Sequence, residues 1–65
     1  MTIRCILGAS ITRHCDTRRT TARVTWLDGR RQQHETVAAY PDSTHVRALL
    51  LRAMREGVTV TREEF

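Results

Sequence analysis

The N-terminal segment, residues 2–12, alternates between apolar and polar positions. A period of two is typical of a β-strand that buries one face. The predicted buried face consists of Ile3, Cys5, Leu7, Ala9 and Ile11. Ile6 is the one apolar residue on the opposite face, and Gly8 is a candidate position for a bulge.

Residues 20–27 repeat this alternation and predict a second strand, rich in β-branched residues. Its predicted buried face consists of Ala22, Val24 and Trp26. The segment between the two strands, residues 13–19, has no apolar period and is predicted to be a loop.

Asp28-Gly29 follows the second strand directly, and this dipeptide is typical of a two-residue type I′ hairpin turn. A third strand is therefore expected over residues 30–39. A two-residue turn would place Trp26 opposite Arg31, and a three-residue turn would shift the pairing by one position. The first half of the third strand is polar on both faces, so the hairpin tip is expected to face solvent or a polar partner.

Residues 44–56 predict an α-helix. Asp42 or Ser43 can cap its first turn, and Gly57 can end it in a left-handed conformation. The helical period places four residues on the face toward the sheet: Val46, Leu49, Leu50 and Ala53. Leu51 and Met54 widen this face sideways. Residues 58–61 are a candidate for a fourth strand.

The elements predict one small α+β domain over residues 1–65, in the order β-β-β-α with a possible final β. We expect a three-stranded, possibly four-stranded, mainly antiparallel sheet with one helix packed on one face. A chain of this length buries only about 60 % of its unfolded surface. The small core and the wide helix face predict a homodimer through the helix or a sheet edge, with an interface at Leu50, Leu51 and Met54.

Charge is distributed unevenly along the chain. All eleven basic residues are arginine, and the formal net charge is +4. Residues 1–34 hold seven arginines and two aspartates, a balance of +5, whereas residues 35–65 have a balance of −1. The N-terminal half is therefore predicted to meet nucleic acid or an acidic protein.

The two cysteines and the N-terminal residues point to a cell compartment. The apolar run after Arg4 is too short and too polar for a secretion signal or a membrane span. We therefore expect a cytoplasmic protein, away from membranes, in which Cys5 and Cys15 are reduced thiols.

The candidate chemistry of this sequence lies in its nucleophilic and metal-binding residues. Five residues contain the elements of a zinc site: Cys5, His14, Cys15, His34 and His45. Their spacing does not match that of structural zinc sites, and the chain has no glycine-rich phosphate loop and no nucleophile elbow. We expect no enzymatic activity, no metal and no cofactor, with Cys5 packed as a small hydrophobic residue and His34 and His45 facing solvent.

The order β-β-β-α-β resembles the front half of the ribonuclease H fold. That fold places an aspartate on its first strand and a glutamate in its first helix to hold metal ions. Here the first strand has no acidic residue, and the predicted helix has none before Glu56. The sequence therefore argues against this metal-dependent chemistry.

The arginines are the strongest remaining signal, since a guanidinium group can bind phosphate oxygens or the guanine edge with two hydrogen bonds. The predicted contact residues are Arg13, Arg18, Arg19, Arg23, Arg30 and Arg31. The hairpin "ARVTWLDGRR" and the following helix, roughly residues 20–55, are similar in layout to the plant AP2 domain and to the N-terminal arm-binding domains of phage-type integrases. This resemblance implies that an exposed sheet face reads DNA.

Two functions follow as expectations. The first is a small nucleic-acid-binding module that uses these arginines. The alternative is a non-enzymatic assembly subunit that forms homodimers, in which the arginines only keep the sheet surface solvated.

Overall fold

The structure, a computed structural model, describes residues 2–65 and consists of one mixed sheet and one helix. The elements in chain order are β1 (Ile3–His14), β2 (Arg19–Asp28), β3 (Gln33–Ala39), α1 (Thr44–Arg55) and β4 (Val60–Glu64). The strands lie in the order β3-β2-β1-β4. The α+β prediction, including the fourth strand, is confirmed.

The three N-terminal strands form an antiparallel meander, and β4 joins it in parallel to β1. The β1–β4 pairing runs from Ala9 opposite Val60 to Arg13 opposite Glu64. The sheet thus has a helix face, which α1 covers, and an open face on the other side. The resemblance to the AP2 and integrase arm-binding domains implies a sheet of three strands, and β4 is an addition to that layout.

The core lies between α1 and the helix face of the sheet. Its buried residues are Ile6, Ile11, Ala22, Val24, Trp26, Val46, Leu49, Leu50 and Ala53. The faces predicted for β2 and for the helix are therefore correct. Among residues 2–65, no helix has the length and apolar character needed to cross a bilayer.

The face predicted for β1 is correct for Ile3, Ala9 and Ile11, which pack on the core, but wrong for residues 5–7, because two β-bulges interrupt the pairing with β2. They lie between Ile3 and Cys5 and between Ile6 and Gly8. Each bulge inserts one residue and reverses the faces that follow. Ile6 is consequently buried opposite Trp26, while Leu7 is 49 % exposed.

Cys5 changes face for the same reason. It pairs with Leu27 on the open face and is half-buried, so its predicted place on the buried face is also wrong.

The turn between β2 and β3 also differs from its prediction. Asp28 still belongs to the strand: its N–H donates to the carbonyl of Gln32, and its carbonyl accepts from the N–H of Arg31 at 3.0 Å. Arg31, with φ 64°, adopts the left-handed conformation that the type I′ prediction gives to Asp28 and Gly29. This is a three-residue hairpin loop that ends in a left-handed residue.

The longer turn changes the pairing along the hairpin. Trp26 lies opposite His34, so neither of the two predicted registers is correct. The β3 strand accordingly begins at Gln33 and not at residue 30.

The helix ends follow the sequence signals. The hydroxyl of Ser43 accepts a hydrogen bond from the N–H of Val46, as expected of an N-cap. Gly57 has φ 78°, a left-handed conformation that L-residues with a Cβ adopt at a cost. Arg52 and Arg55 lie in the last turn, where positive charge interacts favourably with the helix dipole.

Side chains of α1 complete the edge of β1 where β4 does not reach. The carboxylate of Glu56 accepts a hydrogen bond from the N–H of Ile6 at 2.8 Å, and Arg52 donates to the carbonyl of Ile3 at 2.7 Å. Arg52 and Glu56 also bind each other at 2.7 Å. The N–H of Ile6 and the carbonyl of Ile3, which a neighbouring strand would otherwise bond, are therefore bonded by the Arg52–Glu56 ion pair.

Candidate nucleic-acid interface

The six arginines predicted to bind nucleic acid do not share one surface. Arg13, Arg18 and Arg19 lie at the β1–β2 turn, whereas Arg30 and Arg31 lie at the β2–β3 turn. The whole length of β2 separates the two groups, about 30 Å for ten residues. Both turns hold one arginine with positive φ, Arg18 and Arg31.

Arg23 lies between the two groups on the open face, opposite Val37. Its Nε atom is 2.7 Å from Oε1 of Glu35, with side chains 63 % and 49 % exposed. The predicted position of Arg23, on the face away from Trp26, is correct. Its charge is nevertheless balanced by a neighbour on the same face.

The open face as a whole offers little positive charge. Its concavity contains one arginine and one carboxylate among neutral residues, and it is lined by Ser10, Thr12, His14, Thr21, Arg23, Val37, Glu63 and Phe65. Reading of a nucleic acid across this face, as the layout resemblance implied, therefore has little electrostatic support.

The sheet end at the β1–β2 turn has a balance of only +1 on its side chains. Five arginines lie there, namely Arg13, Arg18, Arg19, Arg62 and, in the first turn of α1 beside Tyr40, Arg47. Four carboxylates accompany them, namely Asp16, Asp42, Glu63 and Glu64. Backbone hydrogen bonds from Phe65 to Arg13 and from Cys15 to Phe65 bring β4 and its acidic residues to this turn.

The other end of the sheet gathers arginines from three parts of the chain. We call it the basic end: Arg4, Arg30, Arg31, Arg52 and Arg55. The N–H of Gly29 donates to the carbonyl of Thr2, and Arg52 donates to the carbonyls of Ile3 and Arg4. These contacts hold the hairpin tip, the start of β1 and the end of α1 together.

The two carboxylates of the basic end are used inside the fold. Asp28 accepts hydrogen bonds from the N–H groups of Arg30 at 2.8 Å and Gln32 at 2.9 Å. The N–H of Gln32 and the side chain of His34 hold the pKa of Asp28 below its usual value. The N–H of Ile6 and then the Arg52 guanidinium do the same for the pKa of Glu56.

The consequence is a local excess of positive charge. Five arginines stand against two carboxylates, a balance of +3: Glu56 pairs with Arg52, and Asp28 is bonded to His34 and to backbone N–H groups. Among residues 2–65, no ion pair involves Arg4, Arg30, Arg31 or Arg55. Sequence reasoning missed Arg4 and Arg55, because only the fold brings them beside the hairpin.

His34 packs against Trp26 and Asp28 of the neighbouring strand, whereas the sequence predicts that it faces solvent. Its ring stacks on Trp26 with centroids 4.4 Å apart and planes at 18°. Its Nε2 donates to Oδ2 of Asp28 at 2.7 Å, since an ionised carboxylate can only accept. The indole N–H of Trp26 lies 3.2 Å from the Thr36 hydroxyl, which accepts from it.

The remaining candidate groups lie apart from one another. Both cysteines are free thiols, and His45 lies exposed in the first turn of α1. Residues 2–65 contain no group of three or more His, Cys, Asp or Glu side chains that could hold a metal ion.

The fold and its charges thus define a small α+β domain with one strongly basic end. No protein-family model, no curated protein and no solved structure matches the chain.

Proposed function

We propose that this protein is a nucleic-acid-binding module and that its basic end contacts the phosphate backbone. The observation that carries the proposal is that Asp28 is bonded to His34 and backbone N–H groups and Glu56 to Arg52 and Ile6, which leaves the other four arginines of that end without an ion pair. Unpaired arginines favour binding to nucleic acid, because each phosphate that they neutralise releases counter-ions that were condensed on the nucleic acid.

The arrangement suits backbone contacts better than base reading. Arg30 and Arg31 lie in the three-residue hairpin loop, while Arg4 in β1 and Arg55 in the last turn of α1 lie at the same end of the sheet. Guanidinium groups on three separate elements can follow a line of phosphates, each with a bidentate contact. We therefore expect affinity for duplex and single strands with little sequence preference.

The salt dependence of binding tests this proposal. Four phosphate contacts predict that log K falls with log salt at a slope of about −3.6 on duplex DNA. The double variant Arg30→Gln/Arg31→Gln should make this slope shallower by about 2 and weaken binding at every salt concentration. Fluorescence anisotropy with a random duplex, between about 50 and 200 mM salt, measures both quantities.

A matched control lies at the other end of the sheet. Arg18→Gln/Arg19→Gln removes the same charge and also includes one arginine with positive φ. It should leave the slope nearly unchanged. Equal loss in both variants would mean that net charge alone drives binding, and no binding of the wild type at 50 mM salt would overturn the proposal. Tighter binding to a polyglutamate peptide would instead indicate an acidic protein as the partner.

Self-association is a second candidate property, and we propose it on a separate observation. Leu51 and Met54 are 56 % and 64 % exposed on one flank of α1, beside Tyr40. Leu50, the third residue of the predicted interface, is 5 % exposed and already belongs to the core of the chain. Sedimentation velocity over a wide range of protein concentrations tests this property, and a monomer throughout would overturn it.

A further inference from the structure

We propose that two copies of this chain pair antiparallel through their β3 strands and form one continuous eight-stranded sheet. This inference rests on the proposed self-association and names the surface that performs it. The surface combines the free edge of β3 with the apolar flank of α1, and its partner is a second copy of the chain. It is independent of the nucleic-acid proposal.

The free edge of β3 presents unpaired backbone groups. The N–H of Tyr40 donates to the carbonyl of Thr20, and the N–H of Asp28 donates to the carbonyl of Gln32. Residues that bond across an antiparallel ladder alternate with residues that point away from it. Gln33, Glu35 and Val37 consequently direct their N–H and C=O groups away from the sheet.

Nothing in the sequence of β3 protects this edge. The strand has seven residues, its pairing with β2 has no register shift, and it contains neither proline nor glycine. Glu35 is the only residue of β3 whose side chain carries a carboxylate or a guanidinium group. The opposite edge differs, because three of the five residues of β4 are charged, and charged residues discourage pairing at an edge.

One register makes β3 complementary to itself. Pairing centred on Thr36 places Glu35 opposite the partner's Val37, and it does so twice because of the two-fold axis. Each of these positions exchanges two backbone hydrogen bonds. Pairing centred on Glu35 would instead place two carboxylates face to face, which is unfavourable.

Charges on the open face support the same register. Arg23 lies opposite Val37 and binds Glu35 of its own chain. In the dimer, Val37 lies between Arg23 on one side and the partner's Glu35 on the other. Two arginines and two glutamates then lie in one group on the open face, with each glutamate bound to the Arg23 of its own chain and two strands, about 10 Å, from the partner's.

The apolar flank of α1 lies on the same side of the molecule as the β3 edge. The helix touches the edge of β1 through Arg52 and Glu56, which fixes the direction of its opposite flank. That flank carries Leu51 and Met54, which line a concavity of about 210 Å³ with Tyr40, the residue that follows β3. Across the axis the two apolar flanks point toward each other on the helix side, while exposed Val37 gains a cross-strand neighbour on the open face.

Val37→Pro tests the inference with little expected damage to the fold. The N–H of Val37 points away from β2, so proline removes an edge donor but no hydrogen bond within the chain. Two symmetric hydrogen bonds are lost in the dimer, and its Kd, measured by sedimentation equilibrium, should rise at least about tenfold. Val37→Thr keeps the N–H and the branched side chain and should retain most of the affinity.

Amide hydrogen exchange of the wild type gives a second measurement that needs no variant. The N–H groups of Glu35 and Val37 should exchange more slowly as the protein concentration rises, whereas those at the free edge of β4 should not. A dimer that keeps its Kd in folded Val37→Pro, or that gives no concentration-dependent protection in β3, would overturn this inference alone. A wild type that stays monomeric would overturn the self-association on which it rests.

Discussion

Trp26→Ala is expected to leave most of the protein unfolded at 25 °C. Trp26 is 7 % exposed, packs opposite Ile6, stacks on His34 and binds the Thr36 hydroxyl. Removal of a buried aromatic side chain costs about 3–5 kcal/mol. The free energy of unfolding of a domain this small rarely exceeds about 3–5 kcal/mol.

Urea unfolding followed by circular dichroism measures this loss. Trp26→Phe is the matched control, because it keeps an aromatic ring against His34 and loses only the indole N–H and some volume. We expect it to fold, with a loss of about 1–2 kcal/mol. A cooperative transition of Trp26→Ala within about 1 kcal/mol of the wild type would show that Trp26 is not central to the core.

The second large effect is a loss of stability in acid. The fold lowers the pKa of both Asp28 and Glu56, so each carboxylate binds a proton more weakly in the folded chain than in the unfolded one. Their contribution to stability is therefore complete above their unfolded pKa values of about 4. It decreases as the pH falls through the lowered pKa values of the folded chain.

Asp28→Asn and Glu56→Gln isolate these contributions. Each variant should have a lower Tm than the wild type at pH 7, because it replaces a charged acceptor with a neutral one. The difference in Tm should shrink below pH 4, where the wild-type carboxyl groups also become neutral. Thermal melts between pH 7 and pH 3 measure it, and a difference that does not change with pH would contradict the assigned cause.

The helix and its ends could be predicted from sequence, because the signals there are local. Ser43 caps the first turn within three residues of its partner, and Gly57 follows directly after the last turn. The helical period of 3.6 also places Val46, Leu49, Leu50 and Ala53 on one face without help from the sheet. Such features depend on neighbours that the sequence itself displays.

The face of β1 could be predicted only in part: Gly8 is a candidate bulge position and one bulge does lie beside it, but no residue signals the other bulge, between Ile3 and Cys5. Ile6 was the apolar residue that did not fit the alternation, and it proved to be the one buried opposite Trp26. Cys5 and Leu7 changed face with it. A misfit in an alternating strand is thus a useful sign of a bulge.

The basic end could not be predicted for a different reason. Arg30 and Arg31 were visible as a pair, but Arg4 and Arg55 lie about 25 residues away on either side in the sequence. Only contacts between distant segments, such as those of Arg52 with Ile3 and Arg4, bring them together. The charge distribution along the sequence instead favours the arginines of the first loop, which the fold places among carboxylates.

The parallel attachment of β4 has a consequence for the order in which this sheet opens. In chain order, α1 connects β3 at one edge of the sheet to β4 at the other. Val60 is the only residue of β4 that is not exposed. Its release therefore exposes little apolar surface, which makes it a low-energy local opening. Because the antiparallel strands are neighbours in sequence, they are expected to form first, and β4 is expected to be the last strand to dock and the first to leave.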